Sequence, residues 1–254
     1  VKTIVIGDLP PRFVFLHGLF GQGRNWTTIA KHLLPASSVL VDLPNHGGSE
    51  WTDRFAYDDL ADTVAGLLAG LSQPLCLVGH SMGGRVAMMT ALRHPELVER
   101  LVVEDTAPVA LAMDEFADLA DAMLAVPVAS LPDRRAARAI LSQQIKDERV
   151  LGFLLQSLQP RDGGGWRWIM NLEVLRRDLP QIGTWPAQAG TYDGPVLWIL
   201  GDRSTRTSPA QAHAMRTYFP ATVQMRVKGA GHWVHADAPA VFADALRQFA
   251  AASV

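Results

Sequence analysis

Leu77-Val78-Gly79-His80-Ser81-Met82-Gly83-Gly84 reads as the end of a strand, a turn built around one serine, and the start of a helix. Leu75 to Val78 is an apolar run of strand type that follows Pro74. From Met82 through Arg93 the chain is rich in helix formers, and His94-Pro95 ends the run. Between them lies Gly-x-Ser-x-Gly, with Gly79, Ser81 and Gly83 at the fixed positions. A turn this sharp crowds the residues two before and two after the serine, and glycine fits there because it has no Cβ. The predicted result is a serine hydroxyl presented at the top of a sheet and at a helix N-terminus, where backbone N–H groups can stabilise an oxyanion.

Working outward, short apolar or β-branched runs recur at Phe13–Leu16, Val39–Val41, Leu101–Val103, Val196–Leu200 and Val223–Val227. Continuous apolar strands of this kind are buried on both faces of a parallel sheet. Helical segments separate them: Asn25–Leu34, Asp58–Leu71 and, at the end, Ala238–Ala250. Ser208-Pro209-Ala210-Gln211 carries a capping box with Pro at the first helical position. Strands alternating with helices predict an α/β fold with a doubly wound, mostly parallel sheet. The alternation fails over residues 107–190. Asp114–Ala125, Asp133–Gln144, Glu148–Leu158 and Trp166–Arg177 read as helices there, with no convincing strand. The expected organisation is therefore a core formed by residues 1–106 and 191–254, with residues 107–190 inserted as a helical cap.

The 254-residue chain is 48% hydrophobic and carries 23 basic against 25 acidic side chains, for a net charge of −2. No like-charge run marks a nucleic-acid or membrane surface. The single Cys76 cannot form an internal disulfide and reads as a small buried hydrophobe. No metal-ligand spacing is present, and no metal or organic cofactor is expected. No signal peptide or membrane span is legible, so the expected location is cytoplasmic. The oligomeric state stays open between monomer and dimer.

Two further loops complete a reactive constellation. Gly229-Ala230-Gly231-His232 follows the last strand, which lets His232 swing over Ser81 as general base. His235 reads either as support for His232 or as packing at a helix N-terminus. Upstream, the strand Phe13–Leu16 runs into His17-Gly18-Leu19-Phe20-Gly21. A His-Gly turn at that place supplies a second oxyanion N–H, assigned to Leu19, with the first from Met82.

His17-Gly18, Asp42-Leu43-Pro44-Asn45-His46-Gly47-Gly48-Ser49, the elbow and Gly231-His232 together resemble an α/β-hydrolase-fold serine hydrolase over essentially the whole chain. The resemblance implies a Ser-His-acid triad acting on an acyl compound. In most of that family the acid follows the strand equivalent to Val196–Leu200, in a Gly-Asp-x-Asp pattern. Here the segment is Gly201-Asp202-Arg203-Ser204, so Ser204 stands where the acid is expected. Asp105-Thr106-Ala107-Pro108, Asn45-His46-Gly47 and Trp166-Arg167-Trp168-x-x-Asn171-Leu172 resemble small cap-bearing bacterial carboxylesterases. Their acid follows the strand next to the elbow strand. That resemblance makes Asp105 the preferred acid, with Asp202 as alternative and Ser204 as a neighbour able to hydrogen-bond near His232. Glu104 points the other way.

The implied reaction is hydrolysis of a small-molecule acyl ester of short to medium chain length through an acyl-enzyme. A thioester, lactone, perhydrolysis or carbon–carbon substrate would use the same triad, and a ligand-binding receptor on the same fold is a competing class. An Asp-nucleophile dehalogenase or epoxide hydrolase is disfavoured by Ser81. Phe20, Met113, Phe116, Phe153, Trp166, Trp168, Trp185 and Trp233 are candidate lining for an apolar pocket beneath the cap. Arg85, just after the elbow, reads as either a partner for a substrate carboxylate or a helix-surface ion pair.

Overall fold

The computed structural model describes residues 1–72, 74–187, 190–208 and 210–252. In chain order the elements are β1 (Lys2–Ile6), β2 (Phe13–Leu16), α1 (Thr27–Leu33), β3 (Ser38–Asp42), α2 (Tyr57–Ala69), β4 (Cys76–His80), α3 (Met82–Arg93) and β5 (Arg100–Glu104). There follow α4 (Asp114–Leu124), α5 (Arg134–Leu141), α6 (Glu148–Leu155), β6 (Leu158–Pro160), β7 (Trp166–Trp168), α7 (Leu172–Arg177) and α8 (Leu179–Gly183). The chain closes with β8 (Val196–Gly201), α9 (Gln211–Tyr218), β9 (Thr222–Val227), α10 (Val234–Asp237) and α11 (Pro239–Ala251).

Seven strands form one sheet in the order β1-β3-β2-β4-β5-β8-β9. Only β1 runs antiparallel, against β3; the other pairings are parallel. The two faces are covered by different helices. Leu60, Val64 and Leu68 of α2 and Val86 and Met89 of α3 share one core with Val14, Leu77 and Leu101. Ile29 and Leu33 of α1 and Phe242 and Leu246 of α11 share the other with Phe15, Cys76 and Val102. Alternate residues of each central strand thus enter opposite cores, as the period of a strand requires.

Between β5 and β8 the chain leaves the sheet. Leu131, Leu141, Leu151, Leu154 and Leu175 from this stretch join the core on the α2–α3 face. The expectation of helices alone there is corrected: Trp166–Trp168 is a strand, paired antiparallel with Leu158–Pro160. Gly163, Gly164 and Gly165 all take positive φ at the turn between them, so the glycine run makes a hairpin rather than a break between helices. The helix expected over Trp166–Arg177 is accordingly reduced to α7. The Ser208 backbone N–H does donate to Gln211 Oε1 at 2.9 Å, but α9 starts at Gln211, and Pro209 lies outside the described residues. Among the described residues, no helix is long and apolar enough to cross a membrane.

The six parallel strands β2, β3, β4, β5, β8 and β9 bring the loops that follow them to one end of the sheet. The strand order reverses between β2 and β4, with β3 on one side and β5 on the other. The loops after β2 and β4 open a crevice at that point, where ligands of open α/β sheets bind. Leu16 is in register with Gly79, and His80 with Glu104. The His17-Gly18 turn, Ser81 and Asp105 therefore leave the sheet side by side.

Candidate active site

Ser81 takes φ 52° and ψ −118° between β4 and α3, a conformation that a non-glycine residue holds only when its surroundings force it. The neighbours leave room for nothing larger. A Cβ on Gly79 would sit 2.3 Å from the Gly83 carbonyl oxygen, and one on Gly83 would sit 2.4 Å from the His17 carbonyl oxygen. The crowding expected across the elbow is present at Gly79; at Gly83 the close neighbour is the end of β2. Met82 is the first residue of α3, so its backbone N–H has no acceptor inside the helix.

The second candidate oxyanion donor, Leu19, lies in the turn that faces Ser81. A Cβ on Gly18 would be 3.3 Å from Ser81 Cβ. The Gly18 carbonyl accepts from His17 Nδ1 at 2.8 Å and from the Gly21 N–H at 3.0 Å. In a trans peptide the N–H points opposite to the carbonyl. The Leu19 N–H, on the same peptide unit, is thereby turned away from His17. His17 Nε2 in turn accepts from the Leu43 N–H at 3.1 Å. Burial pushes the His17 imidazole down to about 4, which keeps that nitrogen a neutral acceptor.

His232 Nδ1 lies 2.7 Å from Asp105 Oδ2. Asp105 has positive φ at the end of β5 and is 1% exposed. Its carboxylate accepts from Ser204 Oγ at Oδ2, and from Thr207 Oγ1 and the Gly201 N–H at Oδ1, each of the last two at 3.3 Å. Asp202, the alternative acid, is exposed and accepts from the Gly229 N–H at 2.7 Å; it braces the histidine loop at its base. Ser81 and His232 line the same cavity, but no hydrogen bond joins them among the described residues. Such bonds are commonly long without substrate and tighten in the Michaelis complex.

Behind His232 lies a cluster that sequence reading missed. Glu104 is completely buried and accepts from the His235 backbone N–H at 2.9 Å, with His235 Nδ1 2.9 Å from both of its oxygens. His235 is thus a buried partner of Glu104, stacked 4.3 Å from Trp26, rather than simple N-terminal packing. His80 donates from Nε2 to the His232 carbonyl at 3.0 Å. Burial, then the nearby His232 and His235, holds the His80 imidazole well below its ordinary range. Neutral His80 places no charge beside His232. Nothing local in the sequence signals these pairings, because they join β5 to α10 and β4 to the loop after β9.

Both readings of Arg85 are also corrected. It is 1% exposed and donates to the Ile182 carbonyl at 2.9 Å, the Gly183 carbonyl at 3.2 Å and the Val109 carbonyl, with its guanidinium facing Tyr57 and Trp185. It ties the elbow helix to both ends of the segment between β5 and β8, and reaches neither solvent nor the cavity.

The cavity over Ser81 has a volume of about 1040 Å³. Leu19, Phe20, Phe116, Phe153, Leu154 and Trp233 supply apolar wall, while Arg24, Lys146, Arg149 and Arg206 stand with Glu115, Asp118 and Glu148 among the charged groups. Of the expected lining, Met113, Trp166, Trp168 and Trp185 are elsewhere. Met113 packs on Gly183. Trp168 Nε1 donates to the Met123 carbonyl at 3.0 Å. Trp166 lies under the Arg134 guanidinium, and Trp185 between Arg85 and Tyr218. Each of these indoles covers a cation or satisfies a buried carbonyl, as amphipathic aromatics do.

Comparison with known proteins places the geometry in a family. The sequence profile of the alpha/beta hydrolase family matches residues 13–245. The sn-1-specific diacylglycerol lipase ABHD11 of Mus musculus is 38% identical over 250 residues, covering 95% of this chain and 81% of that protein. Esterase YbfF of Escherichia coli is 32% identical over 238 residues, covering 93% and 91%. Among solved structures, a marine microorganism esterase superposes with a TM-score of 0.94 at 26% identity, covering 98% of both chains.

Proposed function

Since this chain belongs to the alpha/beta hydrolase family and is a serine ester hydrolase, we propose that Ser81, His232 and Asp105 are its catalytic triad. Its substrates on this reading are small-molecule carboxylic esters of short to medium acyl chain. The observation that carries the proposal is the fourfold-held, buried Asp105 carboxylate 2.7 Å from Nδ1 of His232, which lines the same cavity as Ser81. With Nδ1 committed to Asp105, Nε2 is the ring nitrogen left for proton transfer.

Ser81 Oγ attacks the ester carbonyl while His232 Nε2 takes the hydroxyl proton. The N–H groups of Leu19 and Met82 receive the developing oxyanion; a comparable single donor is worth about 2.7–4 kcal/mol. His232 returns the proton to the departing alcohol. It then activates water against the acyl-enzyme, which frees the acid and restores Ser81. Asp105 stabilises the imidazolium in both halves. Residues 107–190 act as a cap that roofs the cavity, with Phe116, Phe153 and Leu154 receiving the acyl chain. A volume of about 1040 Å³ lies at the upper end of small-molecule pockets and suits a medium chain better than acetate.

The test is hydrolysis of p-nitrophenyl esters from acetyl to dodecanoyl, with one acyl thioester for comparison, by wild type and Ser81→Ala. Turnover lost in Ser81→Ala, with an optimum at intermediate chain length, is the expected result. A thioester rate far above every ester would reassign the substrate. Turnover retained in Ser81→Ala would overturn the triad.

A further inference from the structure

We infer that Ser157, outside the proposed triad and outside the sheet, is a positioning residue that aligns and polarises the oxyanion donor at Leu19. The inference rests on the triad and oxyanion assignment above. Ser157 sits just after α6, 1% exposed. Its backbone is locked on both sides, with its N–H donating to the Leu154 carbonyl at 3.0 Å and its carbonyl accepting from the Ile169 N–H at 2.9 Å. From that fixed place Ser157 Oγ donates to the Phe20 carbonyl at 3.1 Å.

The bond enters a chain of peptide groups. The Phe20 carbonyl shares its peptide unit with the Gly21 N–H. That N–H donates to the Gly18 carbonyl at 3.0 Å. The Gly18 carbonyl shares its peptide unit with the Leu19 N–H. Hydroxyl, amide and amide thus run head to tail toward the place where the oxyanion forms. Each bond in such a chain polarises the next, so a donor at one end strengthens the donor at the other. Orientation follows the same route, because a planar trans peptide whose carbonyl is held has its N–H direction set.

The turn needs this restraint. Phe20 holds φ 64°, a conformation unfavourable for a bulky residue, which persists only where the surroundings over-determine it. Two side chains do so. His46 Nε2 accepts from the Phe20 N–H at 3.3 Å, and Ser157 holds the carbonyl. The adjacent Gln156 adds a second tie, its carbonyl accepting from Arg24 Nη2 at 2.7 Å and its side-chain oxygen from Asn25 Nδ2 at 2.8 Å. The segment between β5 and β8 therefore touches the oxyanion turn directly, besides covering the cavity.

The experiment compares wild type, Ser157→Ala, Ser157→Thr and Ser157→Cys in steady-state hydrolysis of p-nitrophenyl butyrate. It also measures inhibition by butylboronic acid, whose tetrahedral adduct on Ser81 puts an oxygen in the oxyanion hole, and the thermal midpoint of each protein. In Ser157→Ala the expected result is a kcat about tenfold lower, the scale of one buried hydrogen bond, with KM within about twofold. The boronate Ki should rise by the same factor as kcat falls, and Ser157→Thr should restore both. A purely structural serine would shift the midpoint without moving kcat and Ki together. Unchanged kcat and Ki in Ser157→Ala, or a kcat loss with no weakening of the boronate, would overturn the inference. Should Ser157→Ala fail to fold, the Thr and Cys variants decide: a weaker kcat and boronate affinity in Cys than in Thr supports the inference, and equality overturns it. A Ser81→Ala variant run alongside separates the two proposals. If it stays active the triad assignment fails; if it is dead and the Ser157 variants match wild type, only the positioning role fails.

Discussion

Four hydrogen bonds converge on the Asp105 carboxylate, one from His232 and three from groups at or after β8. Ser204 is the most telling of them. It stands at the sequence position where the family resemblance expects the acid, and instead donates to Asp105, the proposed acid, at the end of the neighbouring strand. Asp105→Asn would set an amide against His232 Nδ1 and favour the wrong tautomer, so its kcat on p-nitrophenyl butyrate should fall about 10⁴-fold. Asp202→Asn keeps an oxygen for the Gly229 N–H and should stay within about threefold of wild type, as exposed substitutions do. A large loss in Asp202→Asn with little in Asp105→Asn would reverse the assignment. At this scale the elbow and the His-Gly turn were legible because each is a local pattern with a local physical cause, whereas Asp105-Thr106-Ala107-Pro108 stood out only through the family resemblance. Arg85, Glu104 and Ser157 were not legible, since their partners lie 97, 131 and 137 residues away.

Among the elements, α6 shows how the cavity is kept open. Gly152 lies inside this helix, lines the cavity, and a Cβ there would meet nothing within 4 Å. Glycine inside a helix costs about 0.5–1 kcal/mol relative to alanine. Gly152→Ala should therefore raise the thermal midpoint by roughly 2 °C and leave the ester profile broadly intact. Gly152→Leu should move the chain-length optimum toward shorter esters. A profile identical to wild type in Gly152→Leu would show that acyl chains do not pass α6. The six parallel strands were legible as apolar or β-branched runs, whereas β1, the antiparallel and largely exposed edge strand, was not among the strands expected. The segment between β5 and β8 was less legible. Trp166-Arg167-Trp168 is too short for its period to separate strand from helix, and the glycine turn at 163–165 carried the signal. The tryptophans there pack against cations and carbonyls, a choice that composition does not reveal.

For the whole molecule, three buried imidazoles at one end of the sheet set a pH limit. Burial depresses His17 to about 4 and His46 to about 3, and holds His80 well below the ordinary value of 6.5. The unfolded chain binds protons at these sites from about pH 6.5 downward while the native state does not, so stability rises with pH across that window. It is complete above about pH 6.5 and declines as pH falls toward 4. His17 alone accounts for roughly 3 kcal/mol over that span. The thermal midpoint should drop steeply between pH 7 and pH 5, and His46→Gln, though less stable at pH 7, should show a shallower drop. An equal slope in both proteins would contradict the account. The doubly wound architecture was readable from strand–helix alternation, whereas the convergence of His17, Ser81, Asp105 and His232 at one sheet end needed the strand order as well.

The most direct test of the central claim is covalent labelling with a fluorophosphonate, followed by tandem mass spectrometry. The account predicts one adduct per chain, located on Ser81 and formed far more slowly in Asp105→Asn than in wild type. An unlabelled Ser81, or an adduct on another residue, would contradict it.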